Sequence, residues 1–275
     1  MHYGVNLGNM QGLWKAALHE LDGSCSLRSR NDAAERDFWK KYLAGKTEYH
    51  PDEYSIPLAS EIKKILEPQK PDTVLELGPG WGNYTFALAS VCKQLTCVDI
   101  SPEILQYLTK IASQKGFRNI NTICSKWEDV SLSKKYSAIF AYNCFYRMLD
   151  IQECLQKIQD AADFHIIGMT SGPDQPYLKD FERELGLSIK WHRFDYIYLT
   201  NLLYQMGIDV NCRIVPLKRI DTFDSPEELM KKESRRILDQ QYDQAGVWEI
   251  LKRYYVPVGN KLQFEHHFCG AILFW

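Results

Sequence analysis

Residues 76–82 read Glu-Leu-Gly-Pro-Gly-Trp-Gly and follow the apolar pair Val74-Leu75. Three glycines at alternate positions behind a strand-like run present backbone N–H groups with no side-chain bulk, as a strand-to-helix turn does where it receives a ligand. Asp99 ends a second apolar run, 95–100, and its carboxylate can accept from both hydroxyls of a ribose. A lone charge ending an apolar parallel strand is uncommon without a partner. Two other phosphate loops do not match. Gly45-Lys46-Thr47 has Lys40 where a P-loop needs its first glycine, and no strand precedes it. A dinucleotide fingerprint starting at Gly78 and Gly80 needs a small residue at position 83, which is Asn83.

The elements that must position these residues alternate. Apolar runs at 73–77, 95–100, 120–124, 136–142 and 164–170 read as strands, separated by helical stretches at 83–92, 102–115 and 150–162. Continuous apolar strands between helices predict a parallel sheet covered on both faces. Ser101-Pro102 suits a helix entry and Gly116 a helix exit. Residues 55–67 carry a helical apolar stripe that ends before Pro68. Beyond Gly172-Pro173 the pattern predicts helices at 176–185, 197–206 and 225–241, with strands at 209–215 and 264–275. The expected organisation is an N-terminal helical extension over 1–50 and one domain over 51–275. The fold expected is a Rossmann-like, doubly wound α/β sheet of about seven strands, mostly parallel with an antiparallel last strand.

The loop GxGxG behind an acid, with Asp99 one strand later, resembles class I S-adenosylmethionine-dependent methyltransferases. Ser125-Lys126-Trp127-Glu128-Asp129 is similar to that family's adenine-contacting turn, and Tyr136 to Asn143 to its strand beside the methionine moiety. The resemblance runs from about residue 55 to 170 and extends to the antiparallel closing strands. It implies S-adenosylmethionine as cofactor, held by Glu76, Gly78, Pro79, Gly80, Asp99, Ile100, Trp127, Glu128, Ala141 and Tyr142. It also places Tyr54, Tyr142 and Tyr146 around the cofactor's methionine end. Two positions depart from the pattern. Lys126 is a donor where relatives commonly carry an aspartate accepting from the adenine amine, so recognition of the base rests on backbone groups and Trp127. Tyr136-Ser137 replaces Phe-Asp at the start of the fourth strand.

Other reactive side chains carry less. In an extended strand His267 and Cys269 face one side and His266 the other, so no metal centre is expected. His165 reads as a core histidine. His192 and Tyr196, in the aromatic region after the fifth strand where relatives place substrate contacts, join Tyr54 and Tyr146 as candidates for the acceptor pocket. No side chain stands out as a general base, which a phenol or alcohol acceptor needs and a thiolate or free amine does not. The family's Asn-Pro-Pro-Tyr motif for exocyclic amines of bases is absent, since Ala141-Tyr142-Asn143-Cys144 stands there. With a formal net charge of −2, this points to a small-molecule acceptor instead of nucleic acid. Eight cysteines without a CxxC pair, no export signal and no long apolar run indicate a cytoplasmic protein off the membrane. Two other functions share these features: a nicotinamide-dependent oxidoreductase, against which Asn83 counts, and a non-catalytic S-adenosylmethionine-binding sensor. The identity of the acceptor and the oligomeric state are not encoded in these patterns.

Overall fold

The structure is a computed structural model, described for residues 8–18, 26–46, 48–172, 174–191 and 195–275. In chain order the elements are α1 (Met10–Ala17), α2 (Leu27–Arg30), α3 (Asp32–Ala44), α4 (Ser55–Leu66), β1 (Thr73–Leu77), α5 (Thr85–Ala89), β2 (Gln94–Asp99), α6 (Pro102–Gln114) and β3 (Ile120–Cys124). They continue with β4 (Tyr136–Tyr142), α7 (Ile151–Ala161), β5 (Ala162–Thr170), α8 (Pro176–Leu185), α9 (Tyr196–Gln205), β6 (Asn211–Phe223), α10 (Pro226–Glu233), α11 (Gln244–Leu251), β7 (Val256–Val258) and β8 (Lys261–Phe274). Two compact units divide the chain. One comprises Met1–Thr170, Phe194–Val215 and Gly270–Trp275, and so includes the N-terminal helices; the other comprises Ser171–Arg193 and Pro216–Cys269.

The strand order is β3-β2-β1-β4-β5-β8-β6, with β7 paired to β8. In the first unit β1 pairs in parallel with β2 and β4, β2 with β3, and β4 with β5, while β8 runs antiparallel to β5. The chain therefore winds outward from β1 through β2 to β3 and then crosses to β4 on the other side of β1. At that reversal the connections leave the carboxyl ends of β1 and β4 in opposite directions, which opens a crevice there. The core beneath it is apolar: Val74, Leu75, Leu95, Cys97, Ile139, Ile166 and Ile167 are fully buried. No helix of the described residues is long and apolar enough to cross a membrane.

The second unit has its own core around Tyr177, Phe181, Leu229, Val247, Leu251 and Tyr255. Ser225 caps α10 through the Glu228 amide, with Pro226 in the first turn. The helix expected over 225–241 stops at Glu233 and tightens into a 3-10 turn over Ser234–Arg236. The reason is tertiary: Ile237 is extended and bridges Ile189, with Lys190 N–H donating to the Arg236 carbonyl and Leu238 N–H to Ser188. Helix α11 and the short β7 were not among the expected elements.

Gly168 sits mid-sheet, paired to Tyr142 on one side and Ile272 on the other. A Cβ there would lie 2.1 Å from the Ala271 carbonyl oxygen and 2.6 Å from the Tyr142 ring. Gly168→Ala is expected to destabilise the protein by about 1–3 kcal/mol in urea unfolding. Gly45→Ala, where nothing lies within 4 Å of the added Cβ, should be near neutral. Equal effects of the two substitutions would contradict this packing.

Candidate functional site

The crevice is built from the ends of β1, β2 and β4. Gly78 leaves β1 in the left-handed region (φ 58°) and donates its amide to the Val98 carbonyl at 2.9 Å. A Cβ at Gly78 would lie 2.5 Å from the Cβ of Cys144, so loop and β4 end pack as closely as glycine allows. Gly80, also left-handed (φ 55°), faces the Trp39 ring and keeps main chain bare at the cavity wall. Behind the loop, Glu76 is buried, with Cys97 Sγ 3.4 Å from Oε2 and no partner for Oε1 among the described residues. Burial pushes its carboxyl up to about 7.

Asp99 closes β2 and is held in place by the Ser101 amide, which donates to its Oδ1 at 2.8 Å. That bond, not a serine cap, shapes the entry to α6: Ser101 makes no capping hydrogen bond and its hydroxyl donates to Glu103. Asp99 is 8% exposed, and burial pushes its carboxyl up to about 7 against the opposing pull of the Ser101 amide. Such a group gains from hydroxyl donors that favour its ionised form.

Sequence reasoning missed a charge network contributed by the N-terminal helices. Glu35 on α3 is 1% exposed and accepts from Arg28 Nε at 2.8 Å, from Trp39 Nε1 at 2.7 Å and from the Tyr146 hydroxyl at 2.5 Å. Asp32, one turn earlier, binds Lys126 at 2.6 Å and Arg147 at 2.5 Å, and Arg147 also donates to the Arg28 carbonyl. Burial raises both carboxyls, but Arg28 and Tyr146 hold Glu35, and Lys126 and Arg147 hold Asp32, below the ordinary range. Lys126, the departure at the third-strand turn, is thus a partner of α3. The signal available was Glu35 on the same helical stripe as Phe38, Trp39 and Tyr42, a charge among aromatics at i, i+3, i+4 and i+7.

One cavity of about 550 Å³, within the ~300–1,000 Å³ typical of small-ligand sites, collects these residues. Gly78, Pro79, Gly80, Asp99, Ile100, Trp127, Glu128 and Tyr142 line it, as do Tyr54 and Tyr146. Glu76 and Ala141 are buried and do not line it, and Tyr196, the first residue of α9, packs against the core. His192 falls outside the described residues. Trp127 is buried, its indole N–H donating to the Cys154 carbonyl at 3.2 Å with Lys157 over the ring. Two histidines read as structural are engaged: His165 stacks on Trp275, and His266 Nδ1 lies 2.8 Å from the Asp174 carbonyl.

The donor set suits a nucleoside carrying an amino-acid arm: a buried carboxylate for the sugar, an aromatic plane at the third-strand turn, and bare main chain backed by an unpartnered Glu76 oxygen. Residues 74–163 match a family model described as a methyltransferase domain. Residues 74–163 thus form a methyltransferase domain. Over 69 residues it is 35% identical to ribosomal RNA small subunit methyltransferase A of Legionella pneumophila, covering 25% of this chain and 26% of that one. Over 68 residues it is 32% identical to protein-L-isoaspartate O-methyltransferase of Myxococcus xanthus, covering 25% and 31%. The matched stretch thus spans about a third or less of these curated relatives. The fold of the methyltransferase domain is shared with the BH2331 protein of Bacillus halodurans, with a TM-score of 0.53, 11% identity, and coverage of 78% of this chain and 97% of that one.

For Asp99 the sign of the pH effect follows from a carboxyl raised from 3.8 to about 7. Stability is lost as pH rises between these values, because the unfolded chain releases the proton first. In the ligand-free protein, Asp99→Asn should therefore raise Tm relative to wild type by an amount that grows from pH 4 to pH 7 and then levels. The same variant should weaken S-adenosylhomocysteine binding by roughly tenfold to a hundredfold in isothermal titration. A pH-independent Tm difference with unchanged affinity contradicts the role given to Asp99.

Proposed function

We propose that this protein is a cytoplasmic methyltransferase that uses S-adenosylmethionine to methylate a small molecule. When bound, the cofactor supplies a sulfonium methyl group and departs as a neutral thioether. The chain's task is then alignment and exclusion of water. Asp99 holds the sugar, Trp127 and the Ser125–Glu128 turn flank the base, and Gly78 to Gly80 with Glu76 behind them hold the amino-acid arm. Tyr54, Tyr142 and Tyr146 surround the end where the methyl group is presented.

The observation that carries the small-molecule reading is the share of this cavity's wall that α3 supplies. Glu35, Trp39 and Tyr42 of α3 line it together with residues of the sheet's carboxyl end. Glu35 and Asp32 are tied to Tyr146, Lys126 and Arg147 on the far wall. A site walled in this way suits a compact acceptor better than a polymer. Asn143 supports the same reading. Its side chain accepts from the Thr170 amide at 2.9 Å and donates to the Thr170 hydroxyl, so its amide is occupied within the fold. A reducing compartment fits the free thiols of Cys92, Cys97, Cys124, Cys144, Cys154, Cys212 and Cys269.

Ribosomal RNA and protein methyltransferases among the curated relatives define the competing acceptors. Incubation of the protein and methyl-labelled cofactor with a cell extract should place the label in the small-molecule fraction, and Asp99→Ala should abolish it. Label recovered on RNA or on protein would overturn the acceptor class. No transfer, despite tight S-adenosylhomocysteine binding, would favour a sensor.

A further inference from the structure

A carboxylate of the cavity wall makes no ion pair among the described residues. Asp52, in the loop before α4, lines the wall and is half-buried. Its Oδ2 accepts from Asn83 Nδ2 at 2.8 Å and from the Tyr54 hydroxyl at 3.3 Å, and Asn83 Oδ1 in turn accepts from the Asp52 amide at 2.9 Å. This interlock fixes the side chain. Its Oδ1 has no partner among the described residues, and none of their lysines or arginines pairs with it. This sets Asp52 apart from Asp32 and Glu35 in the same cavity, which are both engaged by arginine or lysine.

A second, independent feature lies beside it. Tyr84 is 7% exposed and lines the cavity, yet its hydroxyl makes no hydrogen bond with any described residue. Its ring is fixed by tilted contacts with Phe140 and Tyr142, at 5.3 and 5.1 Å between ring centres, so the hydroxyl is a positioned polar group without a described partner. Burial, followed by the nearby Tyr142, Tyr54 and Asp52, raises its phenol. It therefore stays a neutral hydroxyl, able to accept from a cation as well as to donate. Tyr42, Tyr54 and Tyr142 add aromatic faces to the same wall. Such faces already attract an ammonium in this protein: Lys46 Nζ, from outside the cavity wall, lies 3.9 Å from the Trp81 ring and 4.9 Å from Tyr42.

We propose that Asp52, with the Tyr84 hydroxyl and the surrounding tyrosine rings, forms a binding subsite for an alkylammonium group. This deepens the reading of the cavity as a methyltransferase site by giving its ligand a charge. The ammonium has two possible sources, the acceptor molecule and the amino-acid arm of the cofactor. The subsite concerns recognition alone, and the neighbouring Asn83, which departs from the dinucleotide pattern, gains a purpose as the residue that orients the carboxylate.

The test uses the full chain and Asp52→Asn, which keeps side-chain size and removes the charge, with Tyr84→Phe as a second variant. Calorimetry compares S-adenosylhomocysteine with methylthioadenosine, which lacks the amino-acid arm. The protein, with and without S-adenosylhomocysteine, is then titrated with propylamine, 2-phenylethylamine and 1,4-diaminobutane, each against its alcohol. If the ammonium belongs to the acceptor, wild type prefers at least one amine over its alcohol by about tenfold, and both variants reduce the preference. If it belongs to the cofactor, Asp52→Asn weakens S-adenosylhomocysteine by about tenfold and leaves methylthioadenosine unchanged. Unchanged affinities for every ligand in a folded Asp52→Asn protein would overturn the subsite. Failure of the wild type to bind S-adenosylhomocysteine at all strikes instead at the methyltransferase reading, and the amine comparison on the unliganded protein still judges the subsite.

Discussion

A carboxylate buried where the sheet reverses its winding is the constraint around which the first unit is arranged. Asp99 ends a strand whose middle, Leu95 to Val98, is buried, and the Ser101 amide donates to its Oδ1. An ionised carboxylate in such a place is costly unless something donates to it. The fold tolerates the cost because the strand is central, flanked by β1 and β3, and because α6 starts at once after it. On the function proposed, stability is thereby traded for a site that a ligand with hydroxyl donors would complete.

The glycine loop answers a second steric demand. Gly78 permits β1 to end in a left-handed turn while Cys144 packs against it, and Gly80 leaves the wall without a side chain. Loop, Asp99 and Tyr142 come from strands adjacent in space and distant in sequence, which the parallel register brings to the same edge. This is why the sheet, more than any single loop, defines the cavity.

Much of this was legible beforehand because it is local. Apolar runs bounded by Gly, Pro and Ser place β1, β3 and β4 at the expected residues, and Ser225-Pro226 marks the start of α10. Less legible features depend on long-range partners. The end of α10 is decided by a bridge to Ile189, and the length of β6 and β8 by pairing instead of periodicity. The charge network of Arg28, Asp32, Glu35, Lys126 and Arg147 joins helices to segments about a hundred residues away, so pattern alone presents these groups as ordinary solvated charges. Glu35 is the instructive case: its aromatic stripe gave the helix, while its near-complete burial comes from Arg28, Trp39 and Tyr146 closing over it.

The most direct measurement of the central claim is a crystal structure with S-adenosylhomocysteine. Both ribose hydroxyls should lie within hydrogen-bonding distance of the Asp99 carboxylate, at about 2.5–3.0 Å, with the amino-acid arm along Gly78 to Gly80. A ligand bound elsewhere, or an Asp99 side chain turned from the sugar, would contradict the account.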